Sequence, residues 1–343
     1  DLHLSLRRQR QMCIRDRNTG IGASALVAST TAVRNTAVGY FALKSATTGN
    51  SNTAVGSGAL YANTTGNYNT AIGYGALTAN TTSESNTAIG YNALDNNTTG
   101  AQNVAIGVMA LDANTTANNN VAIGYHALKA NTTGHSNVSL GTNSGLAITT
   151  GTHNISIGTN SLRTNTTGAN NFAGGSNSLY ANTDGLYNVA VGHNALYTNT
   201  TGDCNIAIGM NALYSATTAN SNTSIGYEAM KNNSTGQYNT AVGRQALQSN
   251  TTADSNTAVG YQALKANTTG VNNDAFGFAC MDACTTGHEN QAFGKGTLGA
   301  LTTGYYNTAM GFGSAAAITT GTLNTAYGGN SLDACTTGHY NTA

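Results

Sequence analysis

The chain has 343 residues with 13 basic and 13 acidic side chains, and 8% of its residues are charged, against about 25% in typical globular domains. Glycine accounts for 42 residues, whereas proline and tryptophan are absent. The apolar residues are spread evenly along the chain, which argues against two or three compact domains and favours one long, narrow core.

Residues 1–17 differ from the rest of the chain. They hold five of the 13 basic residues, but no apolar run of the kind that a signal peptide needs follows them. The string QMCIRDR at 11–17 resembles the translation of a sequencing-library adapter. We therefore predict that residues 1–17 are a non-native, disordered segment. Without them the net charge is −3, and nothing then indicates binding to nucleic acid or to an anionic membrane.

From Asn18 onwards the sequence consists of tandem units of 17 residues, with no insertion or deletion. Nineteen whole units span 18–340, and 341–343 begin another, so we interpret the chain as a fragment that is truncated at its C-terminus. The consensus is NTA[VI]GYxALxANTTGxx, and we number its columns from the first Asn. Such self-similarity is typical of solenoids, and we predict one solenoid domain over 18–343.

One unit is too short for a helix pair, because helical solenoid repeats run from about 33 residues upward. Seventeen residues suffice for two short strands and two turns, or for three very short strands and three corners. The pattern therefore predicts an all-β fold, a parallel β-solenoid or β-roll with 19 rungs of 17 residues each. The absence of proline agrees, because each rung must donate backbone N–H groups to its neighbour.

The columns predict where each side chain lies in a rung. Gly fills column five in all 19 units, including Gly56, Gly73 and Gly90, and we predict a turn there. Columns four and nine are large and apolar, so we expect them to point inward. Column three, which is Ala or Ser in nearly every unit, should then point outward because strand side chains alternate. Small outward residues would let another copy of the chain pack closely; the alternative is that a tight rung itself requires small residues.

Two further columns are rich in Asn. Column twelve also accepts Ile, Leu and Cys, as in Ile148, Leu301 and Cys284, so we expect it to be buried and unsuitable for a glycan. A lone buried Asn is costly, but stacked Asn side chains can satisfy one another. We predict structural Asn ladders in both columns: Asn52, Asn69 and Asn86 in column one, and Asn63, Asn80 and Asn97 in column twelve.

The strings NTAVG at 52–56 and NTAIG at 86–90 resemble the head repeats of trimeric autotransporter adhesins of the YadA-like type. The whole unit with NTTG is also similar to repeat regions of phage tail fibres that precede an endosialidase-type chaperone domain. The resemblance covers 18–343. It implies a left-handed parallel β-roll and a homotrimer of chains side by side. This sequence departs from the adhesin heads in its longer unit and in the Thr that follows the first Asn.

Side chains capable of catalysis are scattered. The His residues lie in different rungs, and Asp95 and Asp112 share column ten without a partner base. We therefore predict no catalytic residue, no metal site and no cofactor, and hence no enzyme. Of the cysteines, we expect Cys204 to be exposed, while Cys280, Cys284 and Cys335 are interpreted as buried small apolar residues.

The tyrosines are the one group of surface residues that we expect could bind a ligand. Tyr180, Tyr197 and Tyr214 occupy column ten of consecutive units, so their rings should stack. Such a row could contact a glycan or a protein receptor, because a phenol offers an apolar face beside a hydroxyl. The alternative is that the rings serve only stacking and packing between chains.

We therefore expect a non-enzymatic fibrous protein, either an adhesin head at the outer-membrane surface of a cell or a phage tail-fibre shaft in a virion. In either setting a rigid repeat shaft would mediate adhesion or present a surface, with no membrane contact by this segment. The alternative is an ice-binding β-solenoid that uses the regularly spaced Thr residues of column thirteen. Those residues include Thr64, Thr81, Thr98 and Thr115.

Overall fold

The computed structural model describes residues 17–343, so the prediction for residues 1–16 lies outside the described residues. The chain forms two compact units, of which the first ends at Ala169 and the second spans Asn170–Ala343. Each unit is a parallel β-solenoid in which one 17-residue repeat forms one rung. The all-β solenoid that the repeat predicts is confirmed. Its left-handed winding stays a prediction.

Each rung contributes one strand of three residues, drawn from columns two to four. The strands of the first unit are β1 Thr19–Ile21, β2 Thr36–Val38, β3 Thr53–Val55, β4 Thr70–Ile72, β5 Thr87–Ile89, β6 Val104–Ile106, β7 Val121–Ile123, β8 Val138–Leu140 and β9 Ile155–Ile157. Those of the second unit are β10 Phe172–Gly174, β11 Val189–Val191, β12 Ile206–Ile208, β13 Thr223–Ile225, β14 Thr240–Val242, β15 Thr257–Val259, β16 Asp274–Phe276, β17 Gln291–Phe293, β18 Thr308–Met310 and β19 Thr325–Tyr327. Within each unit successive strands pair in parallel and in register, as Thr53 does with Thr70.

The expectation of two or three strands per rung is wrong, because the other columns form turns and bends. These columns are nevertheless hydrogen-bonded from rung to rung. The N–H of Leu60 donates to the carbonyl of Ala76 at 3.0 Å, and the N–H of Thr64 donates to that of Thr81 at 2.8 Å. The backbone is therefore satisfied around the rung without a second strand, as burial of polar groups requires.

Three non-glycine columns adopt the left-handed conformation in most rungs. Columns seven, nine and seventeen have positive φ, and column nine is usually Leu, as in Leu43 with φ 50 and Leu60 with φ 52. This conformation costs a residue about 1–2 kcal/mol, whereas full burial of a Leu side chain contributes about 1.5–3 kcal/mol. Both leucines are fully buried, so burial offsets the backbone strain.

The core is narrow, and the strand turns its small residues toward it. Column three is fully buried, as at Ala54 and Ala71, whereas column four is half-buried or exposed, as at Val55 and Ile72. Our prediction for these two columns is wrong. Their side chains do alternate, but column three points inward and column four points outward. Leu in column nine and Ala in column eight already fill the interior, so the facing strand has room for only a methyl or hydroxymethyl group.

Because column three points inward, its small residues no longer favour close packing against another copy of the chain. The uniformly small column faces the core of its own chain rather than another copy. The alternative that a tight rung requires small residues for internal reasons accounts for column three.

Column five requires Gly for two reasons. Its φ is strongly positive, 136 at both Gly56 and Gly73 and 137 at Gly90, which other residues rarely adopt. A Cβ added at Gly90 would also lie 2.5 Å from the carbonyl oxygen of Gly107 in the next rung. Any other residue would therefore be strained at this φ, and its Cβ would clash with the backbone of the next rung.

This double requirement is tested by two substitutions in one rung. Gly294→Ala places a Cβ 2.5 Å from the carbonyl oxygen of Gly311 at φ 137, and we expect the free energy of unfolding to fall by about 2–3 kcal/mol. Gly296→Asn is the matched control, because a Cβ there meets nothing within 4 Å at φ 65 and Asn92 already occupies the same column at φ 48. Urea denaturation followed by circular dichroism measures both, and equal losses would contradict the argument.

Candidate functional site

The Asn side chains of column one take part in the backbone hydrogen bonding of the rungs. The N–H of Asn69 donates to Oδ1 of Asn52 at 2.9 Å, and the N–H of Asn86 donates to Oδ1 of Asn69 at 3.0 Å. The Nδ2 group of Asn69 also donates to the carbonyl of Ser83 at 2.9 Å. Each side chain thus supplies the acceptor for a buried N–H in the following rung.

The Asn side chains of column twelve form a second ladder. Nδ2 of Asn80 donates to Oδ1 of Asn63 at 2.9 Å, and Nδ2 of Asn97 donates to Oδ1 of Asn80 at 3.2 Å. All three residues are fully buried, so their NTT sequons do not present an accessible acceptor for a glycan. Ile148 and Leu301 are equally buried in the same column, because an apolar side chain fills that space without needing a partner.

The tyrosines of column ten stack as their spacing suggests. The ring centroids of Tyr180 and Tyr197 lie 5.0 Å apart with planes at 15°, and those of Tyr197 and Tyr214 lie 5.1 Å apart with planes at 2°. All three side chains are half-buried. We call these three residues the column-ten ladder, and its rings present hydroxyls and one edge to the surroundings.

A longer row of rings and cations follows column six of the second unit. It is more exposed than the column-ten ladder: Phe278 is 51% and Phe312 is 61% accessible. We call it the column-six ladder. Its members are Tyr227, Arg244, Tyr261, Phe278, Lys295 and Phe312.

The members of the column-six ladder contact one another in order. Arg244 lies 5.4 Å from the ring of Tyr227 and 5.9 Å from the ring of Tyr261. Tyr261 stacks on Phe278 at 4.9 Å, and Lys295 lies 5.5 Å from the ring of Phe278. Each cation therefore interacts with the face of a ring, a contact worth about 0.5–1 kcal/mol at an exposed site.

The sequence reasoning missed this row because it followed the tyrosines alone. Arg244 and Lys295 replace Tyr in column six. When only aromatic residues are counted, these two positions interrupt the row. Reading the column for both rings and cations would have found it.

Glu228 follows Tyr227 of the column-six ladder in the chain. The carboxylate of Glu228 accepts from Lys231 at 2.8 Å and from Gln248 at 2.8 Å. The hydrogen bond from Lys231, with a further one from Gln245, holds the pKa of Glu228 below its usual range. This carboxylate is therefore paired with Lys231 and not with a cation of the column-six ladder.

Titratable groups also occur outside the column-six ladder. In the described residues no group of three or more His, Cys, Asp or Glu side chains is placed to hold a metal ion. Burial, with a smaller effect of the Asp95 charge, raises the pKa of Asp112. The rings of His135 and His153 meet edge to face at 5.1 Å.

The cysteines lie largely as their columns predict. Cys204 is exposed, while Cys280 and Cys284 are buried, and burial raises the pKa of each of these two thiols to about 12. Cys335 is half-buried rather than buried, so the prediction for this residue is wrong.

The outward residues of columns two and four form the strand face of each unit. Column two is Thr in about half of the strands, but many members of this face are apolar and exposed: Ile206 is 37% accessible and Ile208 is 38% accessible. Other exposed apolar members are Ile72, Ile123, Ile155, Ile157, Val191, Ile225, Phe276 and Met310. Large exposed apolar patches are uncommon on monomeric proteins and mark interaction surfaces.

The fold and these surfaces define the class of protein as a parallel β-solenoid of tandem 17-residue repeats. No protein-family model matches the sequence, and neither does any of the curated proteins. Within residues 17–343 there is no helix with the length and apolar character needed to cross a membrane.

The two Asn ladders predict unequal effects of mutation. In Asn239→Ala the N–H of Asn256 loses the Oδ1 acceptor that now lies at 3.0 Å, and an orphaned buried donor costs about 1–3 kcal/mol. In Asn250→Ile, a substitution in the same rung, Asn267 keeps its bond to the carbonyl of Gly270 at 2.9 Å.

The second change takes the Nδ2 donor from Oδ1 of Asn233, which lies 2.8 Å away, but Oδ1 of Asn131 is already without a partner in the rung before Ile148. Because an unpaired carbonyl is tolerated better than an unpaired N–H, we expect Asn250→Ile to cost less than Asn239→Ala.

Thermal and urea unfolding of the two variants measures the difference. Because repeat arrays need not unfold in one step, amide exchange at Asn256 provides a local measurement. Faster exchange in Asn250→Ile than in Asn239→Ala would contradict the assignment.

Proposed function

We propose that this chain is a non-enzymatic fibrous surface or virion protein whose repeat shaft adheres to, or presents contacts at, a cell surface. The observation that carries the proposal is the column-six ladder. Its rings and cations lie in fixed order on the outside of a solenoid, where large side chains have no role in the core of their own chain.

The ladder is suited to binding because it is already ordered. Each ring is supported by its neighbours in the adjacent rungs, and the backbone that carries it is hydrogen-bonded between rungs. Binding by a preorganised surface avoids the cost of about 0.5–1.5 kcal/mol for each side chain that must be immobilised. Aromatic and Arg side chains are also the residues that dominate binding energy at interfaces.

The surroundings of the ladder favour binding over catalysis. Its nearby carboxylate, Glu228, is held by Lys231 and by glutamine side chains. A general base needs free lone pairs beside the substrate, and those of Glu228 are engaged. A host glycan or a protein receptor is the ligand that such a surface would contact, and the setting would be extracellular, on an outer-membrane surface or a virion tail.

The strand face supports a homotrimer. Column four presents an apolar side chain in nearly every rung, and column two carries a β-branched Thr, Val or Ile in most rungs. A second copy of the chain has the same spacing between rungs, about 4.8 Å, so its strand face matches this pattern along its length. Self-complementary apolar faces are the usual basis of homo-oligomers, and the resemblance to adhesin heads sets the number of chains at three.

The ice-binding alternative has less support. The Thr hydroxyls of column thirteen are used within the solenoid: Oγ1 of Thr64 donates to the carbonyl of Thr81 at 3.1 Å, and Oγ1 of Thr98 donates to that of Thr115 at 3.1 Å. These hydroxyls are half-buried, and each already donates its hydrogen bond to a carbonyl of the next rung. Thermal hysteresis of the purified chain is the measurement that would favour this alternative.

Adhesion is tested with beads that carry the purified chain. We expect them to attach to at least one of three probes, namely erythrocytes, epithelial cells and Gram-negative bacteria. Tyr261→Ser/Phe278→Ser/Phe312→Ser should reduce attachment at least tenfold, a loss of about 1.4 kcal/mol or more. Serine is already present in column six, at Ser57 and Ser176, so the fold should be retained.

The control is Tyr68→Ser/Tyr187→Ser/Tyr238→Ser. It removes three rings of column seventeen that are also well exposed, where Ser51 and Ser85 already stand in other rungs. Attachment should be unchanged in this control. Absence of attachment to every probe, or an equal loss in both triple variants, would count against the proposal.

The homotrimer is tested by sedimentation. We expect the unchanged chain to sediment as a particle of three chains. Ile206→Lys/Ile208→Lys places two charges on the outward side of β12 and should release single chains, because burying an unpaired charge in an interface is costly. Circular dichroism should show an intact solenoid in both. A single-chain particle for the unchanged protein would refute the trimer.

A further inference from the structure

Column six of the first unit contains a row of rings with one member missing. Tyr74 and Tyr91 stack with centroids 5.5 Å apart and planes at 9°. Tyr40 belongs to the same column two rungs before Tyr74, but the rung between them carries Ser57. The row therefore contains a gap where its pattern would place a ring.

The gap opens into a cavity of about 530 Å³ that continues past Gly75 to Asn92 and Asp95, two rungs beyond Ser57. Aromatic rings line the cavity on several sides. Gly58, in column seven, contributes no side chain that would fill it. A Cβ added at Gly58 would meet no atom within 4 Å. The main walls are Tyr40, Phe41, Tyr61 and Tyr74. We call this cavity the column-six slot.

The width of the slot matches a single ring. Two rungs separate Tyr40 from Tyr74, which amounts to roughly 10 Å at a strand spacing of about 4.8 Å. Carbon atoms in contact lie about 3.5–4.0 Å apart. The ring of Tyr40 lies against that of Phe41, with centroids 3.8 Å apart, so a six-membered ring in the gap would contact this pair on one side and Tyr74 on the other.

The chemistry of the lining indicates which kind of ring would bind. Ser57, Tyr61 and Asn92 place hydroxyl and amide groups in the lining, and Asp95 is the one acidic residue among the lining residues. Lys44, next to the slot, is held by the rings of Phe41 at 4.4 Å and Tyr61 at 5.1 Å. Its ammonium also donates to the Tyr61 hydroxyl at 3.3 Å. An uncharged ring edged with hydroxyls fits these partners.

We propose that the column-six slot binds one pyranose ring of a neutral carbohydrate, held between Tyr74 and the Tyr40–Phe41 pair. One side of the ring contacts Tyr74 and the other contacts the Tyr40–Phe41 pair, and its hydroxyls reach Ser57 and Tyr61, which belong to the rung of the gap. This deepens the proposed function and rests on it, since it gives the shaft a defined glycan site. The site lies in the first unit and does not involve the column-six ladder of the second.

The chain itself contains a filled version of the same arrangement. Between Tyr91 and Tyr125, the rung that lacks a ring carries Val108 in column six and Met109 in column seven. Met109 adopts φ 54, so the left-handed backbone of column seven accepts a long side chain. Exchanging the two pairs of residues should therefore close the slot, or open a second one, without harm to the fold.

Saturation-transfer NMR on the full chain provides the test. The probes are the methyl glycosides of glucose, galactose, mannose and N-acetylglucosamine, with phenol and sialic acid as comparisons. We expect transfer to the ring protons of at least one neutral glycoside and at least tenfold weaker binding in Ser57→Val/Gly58→Met. Val108→Ser/Met109→Gly should double the number of bound sugars per chain, a gain that general loosening of the fold would not produce.

The outcomes separate the two proposals. Transfer to no glycoside, unchanged binding in the filled variant, or binding of phenol or sialic acid alone would overturn the carbohydrate slot. If the slot fails while coated beads still attach to cells, the adhesive function stands alone. If the slot binds sugar while the unchanged beads attach to no cell, the adhesive function fails and the slot remains.

Discussion

Each rung of this solenoid donates N–H groups to carbonyls of its neighbours, and the Asn of column one supplies an acceptor where no backbone carbonyl does so. The N–H of Asn69 thus bonds to the side chain of Asn52. Because this bond joins identical positions of successive units, it operates only if each unit has the same length. The strict spacing of 17 residues is the sequence consequence of that requirement, since a single insertion would leave buried donors without acceptors.

The narrow core follows from the same repetition. The chain closes each rung with one strand and a series of turns, so the interior holds one Leu and a few Ala side chains per rung. Little space remains, and the strand can direct only Ala or Ser inward. The larger β-branched residues are therefore left outside. A surface that would be buried in a globular protein is here available to another copy of the chain.

Repetition also changes what a single surface residue can do. One exposed Tyr is unremarkable, but Tyr197 lies against Tyr180 and Tyr214 at about the spacing between rungs. A ring in one column becomes a continuous row, a cation in that column is held between rings, and a missing ring becomes a slot. The binding sites that we propose therefore arise from departures from the consensus within a column, and not from groups that converge from distant parts of the chain.

The sequence by itself determined the period, the parallel all-β architecture, the turn at Gly56 and the burial of Asn63. These follow from column identity, because a position that accepts Asn, Ile and Cys but no charge must be shielded from water. Only the tertiary structure decided that Ala54 points inward and Val55 outward. Strand alternation requires that the side chains of columns three and four point to opposite sides. Which of the two sides becomes the interior depends on the left-handed backbone at columns seven and nine. Leu60 at positive φ is unexpected from its intrinsic preference. Its conformation is set by the burial and rung-to-rung bonding that exist only once the neighbouring rungs are in place.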